Sequence, residues 1–145
     1  MKIYKEKITF KSTAQVEFID ITDEVQQVVE NSGIREGGVC VFLQHTTMGI
    51  IINHNESMLL QDFMRVLYHF APIDERYSHD LFELKQTNKS DGRSNGHSHC
   101  KAMLLGTSVS IPVESGKMML SDIQSILAVE FDGSRERDAI VHVTG

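Results

Sequence analysis

The sequence predicts an α+β fold: one compact domain over residues 1–145, of mostly antiparallel β-sheet layers with two main helices. Three observations carry this reading. A chain of 145 residues fits a single domain able to bury its own core. Helical patterns interrupt the first half, whereas short β-branched runs parted by turns fill the second. No internal repeat and no linker divides it.

The opening "KIYKEKITFKSTAQVEFIDIT" alternates in places and is rich in β-branched and aromatic residues, which reads as two strands joined near Lys11 to Thr13. "TDEVQQVVENSG" reads as a helix capped by Thr22, with Asp23 and Glu24 at its positive end and Gly33 closing it. "GGVCVFLQHTTMGIIINHN" is too rich in Val, Ile and Phe for a surface helix; it reads as a buried strand or strand pair with Gly49 as bend or bulge and Cys40 in the core. "ESMLLQDFMRVLYHFAP" places Met58, Leu59, Phe63, Val66, Leu67 and Phe70 near helical spacing, with Pro72 beyond the end. Residues 73–98 are polar and turn-rich and read as a long loop, functional or disordered. "KAMLLG" then gives a helical turn, "TSVSIPV" a strand, "ESGKMML" a hairpin turn and return strand, and "SILAVEF", "DGSRERD" and "AIVHV" a strand, a turn and a last strand.

Composition narrows the function. The net charge of -6, from 14 basic and 20 acidic residues, excludes a general nucleic-acid binder. Two cysteines, Cys40 and Cys100, in no C-x-x-C arrangement, read as reduced thiols in a cytoplasmic protein. The start, "MKIYKEKITF", lacks an apolar leader core, and no stretch has the length of a membrane span, so no membrane partner is expected.

Seven histidines invite a metal reading, since neutral imidazole is the commonest metal-binding side chain. His45 ends an apolar strand, where a polar residue has little structural reason to be. His79 stands beside Asp80, a carboxylate able to orient a ligating ring. His97 and His99, in "SNGHSHCKAM", face the same way if that segment is extended. Three histidines with an open fourth position form the catalytic zinc pattern. No H-E-x-x-H occurs, so spacing alone leaves a metal site and satisfied or surface histidines equally open. His142 reads as solvent-facing on its strand, and His69 as a helix-end cation. Cys100 reads as a half-buried hydrophobe rather than a nucleophile. Lys101, Arg135 and Arg137 are candidate anion contacts, the arginines competing with the plainer role of a solvated hairpin tip. Phosphate-binding glycine loops are absent.

Taken together, "QHTT" (44–47), "YSHD" (77–80), "SHCKAMLLGTS" (98–108), "IPV" (111–113) and "VEFDGSRER" (129–137), with Gln124 before the last, resemble the YjbQ-like family, of the secondary thiamine-phosphate synthase type. The match runs nearly the whole chain in the family's order. It implies a compact α+β homotrimer with sites near subunit boundaries. It also implies a divalent transition metal, zinc foremost, held by His45, His79 and His99, with Asp80 and His97 behind them. Thr46, Thr47, Lys101, Arg135 and Arg137 would contact the substrate's anionic groups, and His54, Lys101 and Gln124 would act in catalysis. The chain departs from the family at three points: His54 stands where a glutamate is usual, "DI" replaces Thr-Trp before Gln124, and Ser134 replaces the proline after Asp-Gly.

The implied activity joins a pyrimidine pyrophosphate to a thiazole phosphate, giving thiamine phosphate and pyrophosphate. The alternatives are a metal-dependent hydrolase of a small phosphorylated or acylated substrate, and a non-catalytic trimer that binds a metal or anion.

Overall fold

The structure is a computed structural model that describes residues 1–85 and 94–145, with side chains for all of these except 82–85. Its strands are β1 (Ile3–Lys11), β2 (Glu17–Asp20), β3 (Gly37–Phe42), β4 (Met48–Asn53), β5 (Ser108–Glu114), β6 (Lys117–Met118), β7 (Ser125–Glu130) and β8 (Glu136–Thr144). The helices are α1 (Thr22–Ser32), α2 (Ser57–Phe70), α3 (Ser78–Lys85) and α4 (Gly96–Leu105).

All strand pairings are antiparallel. One sheet has the order β1-β8-β3-β5-β6 and the other β2-β7-β4. The period-2 alternation foreseen for the strands is visible along β8, where Arg137, Ala139, Val141 and Val143 are buried and their neighbours half-exposed. Ala139, Val141 and Val143 meet Ile50, Ile126 and Ala128 of the other sheet in the main core, which Val25 and Val29 of α1 complete. A second cluster lies on the outer side of the smaller sheet, where Leu67 of α2 and Ala102 of α4 pack on Val129 and Phe131.

Several sequence readings need correction. Residues 73–98 are not one loop: α3 and the start of α4 occupy much of that stretch, and residues 86–93 lie outside the described ones. Polar composition hid α4 because its buried face carries Gly96, His97, Ser98 and Lys101, with Ala102 as the one hydrophobe among the described buried residues of that helix. Thr22 is not the cap of α1; its N–H and hydroxyl both donate to the Asp20 carboxylate (3.0 and 2.6 Å), and Ile21 holds the cap position. Gly33 does close that helix, at φ 68°. Glu56 caps α2 by accepting from the N–H groups of Met58 and Leu59, both at 2.8 Å. Gly49 makes no bulge: β4 runs in register along β7, and a Cβ there would come 2.7 Å from Leu105 Cβ, so glycine lets α4 approach. Cys40 is half-buried rather than core, level with His142 and Ser110 across the outer face of the five-stranded sheet.

Candidate functional site

The helix α4 is the centre of the polar cluster. A helical turn sends residues four apart to the same side and residues two apart to different sides. Hence His97 meets Lys101 while His99 faces elsewhere, contrary to the extended reading that aligned His97 with His99. Lys101 Nζ donates to His97 Nδ1 at 2.7 Å. Both are almost wholly buried, at 3 % and 1 % exposure. Gln15 Nε2 lies 3.3 Å from His97 Nε2. Burial, and then the neighbouring Lys101, hold the His97 imidazolium below its ordinary range, and burial likewise pushes the Lys101 ammonium down. Among the described residues no carboxylate pairs with Lys101.

On another side of the helix the His79 and His99 rings meet edge to face, with centroids 4.7 Å apart. Asn95 joins this pair to the turn after β7. Its Oδ1 lies 3.0 Å from His79 Nε2, and its Nδ2 donates to Asp132 at 3.1 Å. Asp132 in turn accepts from Arg135 Nη2 at 2.8 Å. Asp80 does not orient a histidine; it accepts the Gly96 N–H at 2.9 Å and so ties α3 to the start of α4. Ser98 anchors the same turn by donating to the Phe131 carbonyl at 2.6 Å.

The remaining expected residues lie elsewhere. His45 follows β3 and sits against β8, its Nε2 3.0 Å from the Asp138 carbonyl and 3.3 Å from the Asp138 carboxylate. Asp138 belongs to the outward-facing set of the five-stranded sheet, whereas α4 covers the other sheet. Among the described residues of one chain, therefore, no three His, Cys, Asp or Glu side chains gather to hold a metal. The expected donor set is incomplete in a single chain: two imidazoles converge and His45 does not join them.

His54 is exposed beyond the end of β4, and Gln124 is exposed just before β7, where its side chain accepts the Ser121 N–H at 3.0 Å. The register sets Asn53 against Ser125 and Met48 against Glu130, so His54 and Gln124 share one end of the smaller sheet and the Asp132 turn occupies the other. Thr46 is exposed and Thr47 buried.

Arg137 is held inside the protein. Its Nε and Nη2 donate to the two oxygens of Glu130 at 2.9 and 2.5 Å, and Nη2 also donates to the Thr47 hydroxyl at 2.8 Å. Ser12 donates to Glu130 as well, at 2.7 Å. Burial raises the Glu130 carboxyl pKa, but the hydrogen bonds from Arg137 and Ser12 outweigh it and keep the group below the ordinary carboxylate range. Glu130 escaped the sequence reading, although a charged residue inside the buried run "SILAVEF" was a usable signal. Gln15 and Asn95 gave none, because both stand among turn residues.

Comparison with known proteins finds relatives over nearly the whole chain. The family model described as UPF0047 protein YjbQ-like matches residues 6–145. A UPF0047 protein of Methanothermobacter thermautotrophicus is 40% identical over 145 residues, covering 100% of this chain and 94% of its own length. One from Archaeoglobus fulgidus is 42% identical over 135 residues, 93% of this chain and 97% of its own. Among solved structures, a YbjQ-like protein of Sulfolobus solfataricus superposes with TM-score 0.89 at 34% identity, over 99% of this chain and 98% of that one. Motif order, sheet topology and these likenesses converge on one conclusion: the chain belongs to the YjbQ-like UPF0047 family.

Proposed function

We propose that this protein is a small-molecule enzyme that works on a phosphorylated substrate, with Lys101 as the anion contact and Arg135 supporting it. The observation that carries the reading is the buried Lys101 ammonium, whose described partner is a neutral imidazole and not a carboxylate. An unpaired buried charge is unfavourable by several kcal/mol or more, and an anionic ligand relieves that. The reaction proposed transfers a pyrimidinylmethyl group to a thiazole phosphate: its C–O bond breaks, releasing pyrophosphate, and a C–N bond to the thiazole nitrogen forms. Lys101 and Arg135 would stabilise the charge that grows on the departing pyrophosphate.

Assembly belongs to the same proposal. Met58, Phe70, Met103 and Leu104, on α2 and α4, are exposed in the single chain, more apolar surface than those helices would leave open in a monomer. A homotrimer would cover them and bring His45 of one subunit toward His79 and His99 of the next. His79 suits a ligand role because the Asn95 amide, 3.0 Å from Nε2, fixes the orientation of its ring. A bound zinc would supply positive charge beside the substrate.

The test is pyrophosphate release from the pyrimidine pyrophosphate in the presence of the thiazole phosphate. Turnover in the native protein that falls at least 100-fold in Lys101→Met supports the proposal. Absence of release, together with failure to complement a thiamine auxotroph, would remove the synthase reading.

A further inference from the structure

The hollow bounded by α2, α4 and the start of β2 ends at Lys101, and the combination specifies a kind of ligand. It measures about 380 Å³ and is walled by Val16, Met64, Leu67, Tyr68 and Ile73, with Lys101 among its lining residues. Ligand pockets begin at roughly 300 Å³, so the space accepts a body of one or two rings. Its walls offer little polar recognition. The Tyr68 hydroxyl donates to Asp74 at 3.0 Å, and the Arg65 guanidinium is paired with Asp62. Among the described lining residues, that leaves Lys101 as the cation for a molecule in the hollow.

We infer that this hollow receives the body of the ligand, which is therefore an apolar ring or short aliphatic compound carrying one anionic end placed at Lys101. The inference rests on the proposed role of Lys101 as anion contact and adds the class of molecule it serves. The geometry is economical: α2 contributes Met64, Leu67 and Tyr68 from successive turns of one face, and Lys101, held through its i, i+4 partner His97, lines the hollow with them. A polyanion without an apolar body would leave the hollow filled with poorly bonded water, and a neutral ring would leave Lys101 without its counter-charge.

Calorimetric titration of the full chain with 2-naphthoate and with neutral 2-naphthylmethanol tests this. The expected result is naphthoate binding at least 10-fold tighter than the alcohol, with Lys101→Met abolishing that difference and leaving the alcohol unchanged. Met64→Gln and Ile73→Gln, at exposed wall positions that tolerate a polar side chain, should weaken both ligands threefold or more. Equal affinities in the native protein, or naphthoate binding indifferent to the two wall variants, would overturn the inference. Inorganic pyrophosphate separates it from the parent reading. If pyrophosphate binds in a Lys101-dependent way while naphthoate does not bind, the hollow is not the ligand's place and the anion contact survives. If naphthoate behaves as expected while no pyrophosphate is released in the transfer assay, the ligand class stands and the proposed reaction falls.

Discussion

Glu130 and Arg137 face each other across the β7–β8 turn in a bidentate pair, fully buried on the Glu130 side and 6 % exposed on the Arg137 side. The pair clamps the turn that carries Asp132 and Arg135, so it positions the polar cluster without touching a ligand. Removing one partner strands a buried charge, which is unfavourable by about 3–5 kcal/mol. Arg137→Met and Glu130→Gln should each lower stability by that order in urea unfolding. The double variant should lose less than the sum of the two. A fully stable Arg137→Met that had lost only anion affinity would return Arg137 to the substrate-contact role expected from its motif.

Gly96 sets the distance between α3 and α4. A Cβ there would lie 2.4 Å from Tyr77 Cβ and 2.7 Å from Tyr77 Cγ, so the two segments must move apart to admit it. The Asp80 carboxylate holds them together through the Gly96 N–H, and separation would stretch that bond and shift His79 from His99. Gly96→Ala should destabilise by about 1–3 kcal/mol, the usual effect of overpacking. It should also weaken any ligand that needs both rings. Unchanged thermal unfolding would show that the contact relaxes freely.

The fold was largely legible because β-branched alternation and turn residues are local signals, and β5, β7 and β8 lie where those signals placed them. The helix α4 was not, since its buried face is polar and its partners come from residues distant in sequence: Gln15, Asp80 and Phe131. The same applies to the site. Histidine identity is written in the chain, but whether His97 turns to His99 or to Lys101 depends on a helical rather than an extended backbone. Arg137 shows the limit from the other direction. Its sequence neighbourhood reads as an exposed turn, and only the register that buries alternate residues of β8 sends its side chain inward to Glu130.

Acid should destabilise the protein in two stages. The His97 imidazolium is disfavoured in the folded state, below its ordinary value of 6.5, by burial and then by Lys101. As pH falls below 6.5 the unfolded chain takes up a proton that the native one refuses, so stability declines from there. Glu130 is also depressed, from an ordinary 4.5, with burial opposing and the Arg137 and Ser12 hydrogen bonds prevailing. Its contribution is present above 4.5 and is lost as pH falls through the lower native value. Urea midpoints between pH 7 and 5 should therefore fall in the native protein and stay flatter in His97→Gln, which keeps an acceptor for Lys101. Parallel curves for the two would exclude His97 as the source.

The proposed metal needs ligands from more than one subunit, and that gives it a distinctive dependence on assembly. His79 and His99 meet edge to face within one chain, while His45 rests on Asp138 at the other sheet. Elemental analysis of the native protein should find about one transition metal per chain in trimers and little in any monomer fraction. His99→Ala should lose the metal with the trimer intact, because the half-exposed His99 ring contacts His79 and contributes little to the apolar core. His45→Ala should lose it as well, although within one chain His45 does not join the other two. That second loss is the discriminating result: if His45→Ala retained full metal while His99→Ala did not, the ion would belong to α3 and α4 alone. Absence of metal from the native trimer after reconstitution with zinc would leave the His79 and His99 rings as acid–base or anion-contact groups.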